Sequence, residues 1–330
     1  MRRTAVLGVG KFLPERVVTN DDLAEMFDTS DEWIQQRTGI VERRFAEAGI
    51  GSADLAVPAA EEAVKAAGLN LSDIEFIIFA TLNPDYFFPG SGCILQAKLG
   101  LPGIGALDVR NQCSGFIYGL SVADAFIRLG TYNRVLLVGA EVHSTGLEFA
   151  DSGRDVTVLF GDGAGAVVLG PTEEDNGILS THLHADGRFA KDLWIEIPSG
   201  LHMPRVSHAL LEQGRHYPRM KGKKVFKMAV EKMPEVINEA LMANRLTIED
   251  VDLFIPHQAN YRINEFVRQQ LGLPPEKVYH NIQRYGNTTA ASIPIALNEA
   301  MKEGRAKKGD LIALASFGSG FTWASCLLRL

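Results

Sequence analysis

Cys113 is the residue whose surroundings most suggest reaction chemistry. It follows an extended polar segment and precedes small residues with helical spacing, in "DVRNQCSGFIYGLSVADAF" at 108–126. A thiol at a helix N-terminus lies at the positive end of the helix dipole, which lowers its pKa and favours the nucleophilic thiolate. The sequence therefore predicts a nucleophile with a lowered pKa. The alternative is a structural cysteine, because cysteine is among the most buried residue types.

Two other side chains could assist a nucleophilic cysteine. His257 in "FIPHQAN" follows a buried strand and a proline, which should end the strand and expose the histidine at its carboxyl edge. Asn287 in "RYGNTTAASIP" precedes a helix, where an asparagine is commonly only an N-cap. We expect ordinary packing or surface roles for the remaining histidines, which are His143, His182, His184, His202, His208, His216 and His280.

A glycine-rich turn near the C-terminus could complete such a site. In "ASFGSGFTWAS" at 315–325, a Gly-x-Gly turn follows a buried strand and leaves backbone N–H groups bare. One of these N–H groups, together with that of Cys113, could hold a developing oxyanion. Such a turn by itself is weak support.

Composition limits the class of protein. The 330 residues are 46% hydrophobic, which is ample for a large core, and the net charge of −7 argues against nucleic acid as a partner. The three cysteines, Cys93, Cys113 and Cys326, form no Cys-x-x-Cys pair, so neither a disulfide framework nor a metal site is expected. No apolar run approaches the ~20 residues of a membrane span, and the N-terminus lacks a signal-peptide core. We therefore expect a cytoplasmic protein without a membrane partner.

The chain contains an internal repeat. "LSDIEFIIFA" at 71–80 resembles "IEDVDLFIPH" at 248–257, and "KLGLP" at 98–102 resembles "QLGLP" at 270–274. Both halves, 1–170 and 171–330, predict the same order of helices and nearly continuous apolar strands, which belong in sheets covered on both faces. The predicted pairs are helices 54–68 and 226–243, strands 74–81 and 250–256, helices 90–99 and 261–271, helices 114–129 and 288–303, and strands 134–140 and 310–316.

The repeat predicts both an architecture and a site. Strands alternating with helices favour mainly parallel sheets, and two packed halves favour an α/β body of five layers, αβαβα. Segment 171–225 should hold the first strand of the second half and a long excursion. In the repeat, Cys113 aligns with Asn287, each in a loop before a helix. Packing of the halves could bring these loops and His257 together beyond the strand ends.

A basic segment lies inside the excursion. "RMKGKKVFK" at 219–227 holds five cations and no acid, and Arg205 and Arg215 precede it. A solvated loop and helix start is the simpler interpretation. The alternative is a binding surface for an acidic macromolecule or a phosphate-bearing ligand.

Taken together, the motifs resemble a known family. "SDEWIQQRTGIVERR", "RNQCSGF", "FGDGAGAVVL", "PHQAN", "GNTTAASIP" and "FGSGFTW" occur in the order seen in β-ketoacyl-acyl-carrier-protein synthase III, a condensing enzyme of the thiolase superfamily that initiates fatty-acid synthesis. The resemblance spans essentially the whole chain. It implies a thiolase-like homodimer without a metal or organic cofactor, acting on acyl-CoA and malonyl-acyl-carrier protein.

The resemblance also implies roles for the site residues. Cys113 would attack the acyl-CoA thioester, and the backbone N–H groups of Cys113 and Ser319 would form the oxyanion hole. His257 and Asn287 would stabilise the enolate formed when malonyl-acyl-carrier protein loses CO2. Two donors of this kind favour charge developing on oxygen.

Further residues acquire binding roles from the same resemblance. Trp33 and Arg37 would sandwich the CoA adenine, while Arg154, Asn260 and Arg262 would contact CoA or the carrier arm. Phe88 would cross a dimer interface to bound the neighbour's acyl pocket, and Gln112 would line that pocket. The carrier protein would face three basic residues, Lys227, Arg262 and Arg268.

The chain departs from the family in three places, so related activities stay open. Arg110-Asn111-Gln112 stands where the family usually has alanines, Ser319 replaces a glycine, and the connection 185–224 looks longer than usual. An acyltransferase, or a medium- or long-chain condensing enzyme of specialised metabolism, is the main alternative. A thiolase should carry a second cysteine in the terminal turn. Relatives that use a glutamate as base need that residue after strand 76–81, where the acid found is Asp85. A cysteine hydrolase and a non-catalytic subunit are the remaining possibilities.

Overall fold

The computed structural model describes residues 2–330, which form two central sheets, two small strand pairs and the helices around them. The strands are β1 (Arg3–Phe12), β2 (Val17–Thr19), β3 (Glu42–Arg44), β4 (Phe76–Ala80), β5 (Gly105–Val109), β6 (Val135–Glu141), β7 (Gly163–Thr172), β8 (Gly177–Ala185), β9 (Leu193–Trp194), β10 (Arg219–Met220), β11 (Leu253–Pro256), β12 (Leu311–Gly318) and β13 (Thr322–Arg329). The helices are α1 (Asn20–Ala24), α2 (Asp31–Thr38), α3 (Ser52–Ala66), α4 (Ser91–Lys98), α5 (Gly115–Arg128), α6 (Arg154–Thr157), α7 (His208–Glu212), α8 (Gly222–Ala243), α9 (Tyr261–Leu271), α10 (Ile282–Tyr285) and α11 (Ser292–Lys302).

Each half of the chain contributes one central sheet. The first has the order β1-β7-β6-β4-β5 and the second the order β8-β13-β12-β11, so the repeat is visible strand by strand. Where the first sheet has β5, the second half has an isolated bridge between Phe254 and Val278. The division of the chain at 170/171 stays a prediction: β7 runs on to Thr172, and β8 begins at Gly177.

Both sheets are mixed, so the prediction of mainly parallel sheets is wrong. β4 is parallel to β5 and β6, but β7 is antiparallel to both β6 and β1. In the second sheet only β11 and β12 are parallel, whereas β13 is antiparallel to β12 and β8. A continuous apolar run indicates that both faces of a strand are covered. It carries no information about the direction of its neighbours.

Alternating side chains produce the five layers. Along β4, Ile78 faces the central layer, while Ile77 and Phe79 face the outer one. Helices α3 and α4 cover the outer face of the first sheet, α5 and α11 fill the space between the sheets, and α8 and α9 cover the second sheet. The central core therefore mixes residues of both halves, such as Phe116 and Ile293. The predicted αβαβα architecture is confirmed.

A smaller cap closes one end of this body. The antiparallel pair of β2 and β3 packs with α1, α2 and α6 around a separate apolar cluster that includes Ile34 and partly buried Trp33. Buried Arg43 fastens this cap because its guanidinium donates to the carbonyls of Val18 and Val158. Burial lowers the pKa of Arg43 to about 10. Within residues 2–330, no helix combines the length and apolar character needed to cross a membrane.

Candidate active site

Cys113 lies in a tight turn, Gln112–Ser114, that leads directly into α5. Its side chain is buried, and the end of β12 packs against it. A Cβ on Gly318 would lie 2.7 Å from Cys113 Cβ and 3.2 Å from Cys113 Sγ, so only glycine permits this approach. The N-terminal position predicted for Cys113 is therefore found, with the glycine turn beside it.

The predicted lowering of the thiol pKa is wrong. Burial raises the pKa of Cys113 to about 12, and the charge of nearby Glu141 acts in the same direction. A hydrogen bond from the Thr289 side chain opposes this rise. Desolvation outweighs the helix dipole here because the thiol lies beneath β12 and not at an exposed helix end.

His257 directly follows β11, and its imidazole is buried. Its backbone N–H donates to the Ala315 carbonyl at 2.8 Å, and its Nδ1 lies 2.6 Å from Ser292 Oγ. Ser292 Oγ also accepts the N–H of Gln258. When the Ser292 hydroxyl donates its proton to Nδ1, the His257 proton lies on Nε2. Nε2 is buried and has no partner among residues 2–330, and burial lowers the pKa of His257 to about 3. The ring is thus a neutral donor with a free N–H.

Asn287 presents a second donor. Its Oδ1 accepts the backbone N–H of Thr289 at 2.8 Å, while its own N–H donates to the Leu159 carbonyl at 2.7 Å. These contacts orient the amide so that Nδ2 is left for a ligand. Because α11 begins only at Ser292, Asn287 is not its N-cap. The amide borders the same cavity as Cys113.

Two cavities of about 620 and 610 Å³ meet at Cys113. The first runs from the cap to the thiol and is bordered by four of the predicted CoA-contact residues, which are Trp33, Arg37, Asn260 and Arg262. The second continues beyond the thiol and is bordered by Gln112, Phe87 and part of the excursion, including Trp194. A thioester could therefore place its carrier on one side of Cys113 and its acyl chain on the other.

The cap presents Trp33 beside two guanidinium groups. Ser30 caps α2 by accepting the Trp33 N–H, and this helix positions both Trp33 and Arg37. The Arg37 and Arg154 guanidinium carbons lie 4.2 and 4.7 Å from the ring centroid, within cation–π range. Asn260 donates from Nδ2 to the Arg37 carbonyl and also caps α9. The predicted adenine-binding residues are together, with Arg154 as a second stacking partner.

The two residues predicted to line the acyl pocket lie in different surroundings in the structure. Gln112 adopts a left-handed conformation with φ 44° and borders the cavity beyond the thiol. Phe88 borders neither cavity of its own chain, and 77% of its surface is exposed. Ser319 contributes its side chain to a hydrogen bond with the Leu193 carbonyl, which ties the glycine turn to the excursion.

The basic residues predicted to bind a carrier protein differ in their solvent exposure. Lys227 and Arg262 are exposed, but the Arg268 side chain is only 15% exposed and donates to Glu265 and to the Leu273 carbonyl. In segment 219–227, Arg219 pairs with Glu148, and Lys221 and Lys224 both pair with Asp192. Two carboxylates, Glu148 and Asp192, therefore offset part of the positive charge of this segment.

Three buried residues near Cys113 were missed by sequence reasoning. His143 follows β6, Thr289 follows Asn287, and Glu141 ends β6. Burial raises the pKa of Glu141 to about 8, although the backbone N–H groups of Leu82 and Asn83 donate to its carboxyl. The one available signal was position, because His143 follows a buried strand as His257 does. Across residues 2–330, no cluster of three or more His, Cys, Asp or Glu residues could hold a metal ion.

Comparison with known proteins identifies the family. Two family models match: 3-oxoacyl-[acyl-carrier-protein (ACP)] synthase III over residues 107–187, and the C-terminal part of the same enzyme over residues 241–330. The β-ketoacyl-[acyl-carrier-protein] synthase III of Xanthomonas campestris pv. campestris is 48% identical over 324 residues, or 98% of this chain and 97% of that protein. Its counterpart in Caldanaerobacter subterraneus is 47% identical with the same coverage. The crystal structure of 3-oxoacyl-[acyl-carrier-protein] synthase III from Aquifex aeolicus is 45% identical, covers 99% of this chain and 100% of its own, and has a TM-score of 0.90. The chain belongs to the β-ketoacyl-[acyl-carrier-protein] synthase III family.

Proposed function

We propose that this protein condenses an acyl-CoA primer with malonyl-acyl-carrier protein by decarboxylation, and so initiates fatty-acid synthesis. The products are 3-oxoacyl-acyl-carrier protein, CO2 and CoA. One observation carries the proposal. Among residues 2–330, the buried His257 Nε2 has no partner, and Asn287 borders the cavity at the buried Cys113 thiol with its Oδ1 already engaged by the Thr289 N–H.

In the first half-reaction, Cys113 Sγ attacks the acyl-CoA carbonyl. The thiol proton passes to the departing CoA sulfur, and the acyl group remains on Cys113. The backbone N–H groups of Cys113 and Ser319 hold the oxyanion of the tetrahedral intermediate. The proximity of Gly318 to Cys113 supports this role, because it brings the start of the glycine turn against the nucleophile.

In the second half-reaction, malonyl-acyl-carrier protein loses CO2 and leaves its electron pair as an enolate. His257 and Asn287 donate to the enolate oxygen, which gains charge as the C–C bond breaks. The carbanion attacks the acyl-cysteine carbonyl, the Cys113 thiolate leaves, and it takes up a proton from solvent. The low pKa of His257 supports this division of roles, because a neutral imidazole can donate a hydrogen bond to the enolate oxygen but carries no acidic proton to transfer to it.

The binding residues follow from the two cavities. Trp33, with Arg37 and Arg154, stacks on the CoA adenine, and Asn260 and Arg262 contact the pantetheine arm. Lys227 and Arg262 attract the acidic carrier protein, with Arg268 at the edge of the patch through its aliphatic stem. The reaction requires no metal or organic cofactor, since carbon and sulfur chemistry of the substrates is sufficient.

We also propose a homodimer in the cytoplasm. Tyr86, Phe87 and Phe88 form an exposed aromatic loop, and Leu201 and Met203 of the excursion are 89% and 101% exposed. A patch of this kind is typical of a protein interface, and a second copy would bring Phe88 to the partner's acyl cavity. A catalytic thiol that must stay reduced agrees with a cytoplasmic location.

The main rival is an acyl transfer or condensation with a longer primer in specialised metabolism. The cavity beyond Cys113 has room for more than an acetyl group, so primer length is decided by experiment. A thiolase is disfavoured because Gly318-Ser319-Gly320 holds no second cysteine.

The test is the intact mass of the protein after mixing with acyl-CoAs from acetyl to dodecanoyl. Wild type should gain one acyl group, and Cys113→Ala should gain none while keeping its melting temperature. Addition of malonyl-acyl-carrier protein should then remove the adduct and release CO2. Loss of the adduct to free acid without malonyl consumption would indicate a hydrolase. An acyl adduct on the Cys113→Ala variant would refute the assignment of Cys113 as the nucleophile.

A further inference from the structure

His143 occupies a buried position beside the nucleophile, between two hydrogen-bond partners. Its ring packs on Phe160 with centroids 4.5 Å apart. Nδ1 lies 2.9 Å from Asn83 Nδ2, and Nε2 lies 2.7 Å from Thr289 Oγ1. The mechanism above uses neither His143 nor Asn83.

The direction of each hydrogen bond follows from the chemistry of the groups. An amide nitrogen can only donate, so Asn83 Nδ2 donates to His143 Nδ1. The imidazole proton therefore sits on Nε2 and is donated to Thr289 Oγ1. With its oxygen accepting from His143, the Thr289 hydroxyl keeps its own proton for Cys113, which borders the same cavity and whose pKa a hydrogen bond from the Thr289 side chain lowers.

Backbone hydrogen bonds fix the position of Asn83 at one end of this hydrogen-bonded series and of Thr289 at the other. The Asn83 N–H donates to Glu141 Oε2 at 3.1 Å, which fixes the loop after β4. Thr289 has a left-handed backbone with φ 49°, which is uncommon for a β-branched residue, and its N–H is held by Asn287 Oδ1. The direction of the Thr289 hydroxyl is thus set by a backbone conformation that an unconstrained threonine rarely adopts.

We propose that Asn83, His143 and Thr289 form a hydrogen-bond relay that stabilises the Cys113 thiolate. Thr289 is the member that touches the reacting sulfur, and His143 is a positioning residue that acts through Thr289. The relay would act twice, because the thiolate is both the nucleophile in acylation and the leaving group in condensation. This inference rests on the proposed function, in which Cys113 is the nucleophile.

A buried thiol has particular need of such a relay. Desolvation disfavours the thiolate, and a hydrogen bond donated to the charged form offsets that effect. A histidine that stays neutral serves this purpose well, because its tautomer does not change with pH near neutrality. Burial lowers the pKa of His143 to about 3, and its proximity to His257 acts in the same direction.

The test measures the pH dependence of Cys113 alkylation by iodoacetamide, which needs no acyl donor. All variants carry Cys93→Ser, because Cys93 is exposed and would also react. We expect Thr289→Val to raise the apparent pKa of Cys113 by about one unit and to slow alkylation below that pKa about tenfold. Thr289→Ser keeps the hydroxyl and should retain the parent profile. His143→Phe keeps the packing on Phe160 and should shift the profile in the same direction by a smaller amount.

The outcomes separate this inference from the proposed function. An unchanged profile in Thr289→Val, or an equal shift in Thr289→Ser, overturns the relay even if the parent protein forms an acyl-enzyme. The expected shifts support the relay as a property of the thiol, even if the parent protein accepts no acyl-CoA. Melting temperatures of all variants identify any that fail to fold. If His143→Phe misfolds, the comparison of Thr289→Val with Thr289→Ser decides whether the relay exists.

Discussion

Gly318→Ala should disable the nucleophile with little effect on the rest of the fold. The new Cβ would lie 2.7 Å from Cys113 Cβ and 3.1 Å from the Cys113 backbone nitrogen. Carbon atoms in contact normally lie about 3.5–4.0 Å apart, so relief needs a displacement of about 1 Å. A misplacement of that size at a reacting group costs about 10²-fold in rate, or about 2.7 kcal/mol in activation free energy.

The assay is the rate of acyl-enzyme formation, measured by rapid quench and intact mass. Overpacking of this kind typically lowers the free energy of unfolding by about 1–3 kcal/mol, so the variant should remain folded. Gly187→Ala is the matched control, because a Cβ at Gly187 would meet nothing within 4 Å. Acylation of Gly318→Ala at the parent rate would refute the argument that β12 closes on Cys113.

Three further predictions concern the other site residues. Asn287→Asp should reduce CO2 release from malonyl-acyl-carrier protein about 10²-fold and slow acylation much less, because a carboxylate would face the enolate; equal losses in both half-reactions would contradict the assigned role. The pKa of His257 is lowered by burial to about 3, so its ring is neutral above that pH, and decarboxylation should not fall between about pH 8 and pH 5 through imidazole protonation. A loss with a midpoint near 6.5, seen in the parent protein, would show that this imidazole titrates like an exposed one. Trp33→Ala should raise KM for acyl-CoA about tenfold, since stacking of a base on an aromatic ring contributes about 1–3 kcal/mol, while KM for the matching acyl-pantetheine should change little; an equal rise for both substrates would argue against adenine stacking.

Elements with a strong local signal were predictable from the sequence. Helix 261–271 has the predicted bounds, and the helix after Cys113 begins within a residue of its predicted start. Helix α11 begins four residues later than predicted, because a tight turn over Thr289–Ala291 precedes it. That turn carries the residue whose hydroxyl reaches Cys113.

The sequence by itself determined the five-layered architecture, because a repeated order of apolar strands and amphipathic helices can bury its surfaces in few ways. It also determined which loops meet, since Cys113 and Asn287 occupy matching positions in the two halves. Only the tertiary structure decided the strand directions and the pKa of the thiol. Those properties depend on atoms far apart in the chain: β12 lies over Cys113, Ser292 orients His257, and Asn83 and Thr289 enclose His143. Burial and hydrogen-bond direction depend on the atoms that surround a side chain in the folded protein, so the spacing of residues along one segment does not predict them.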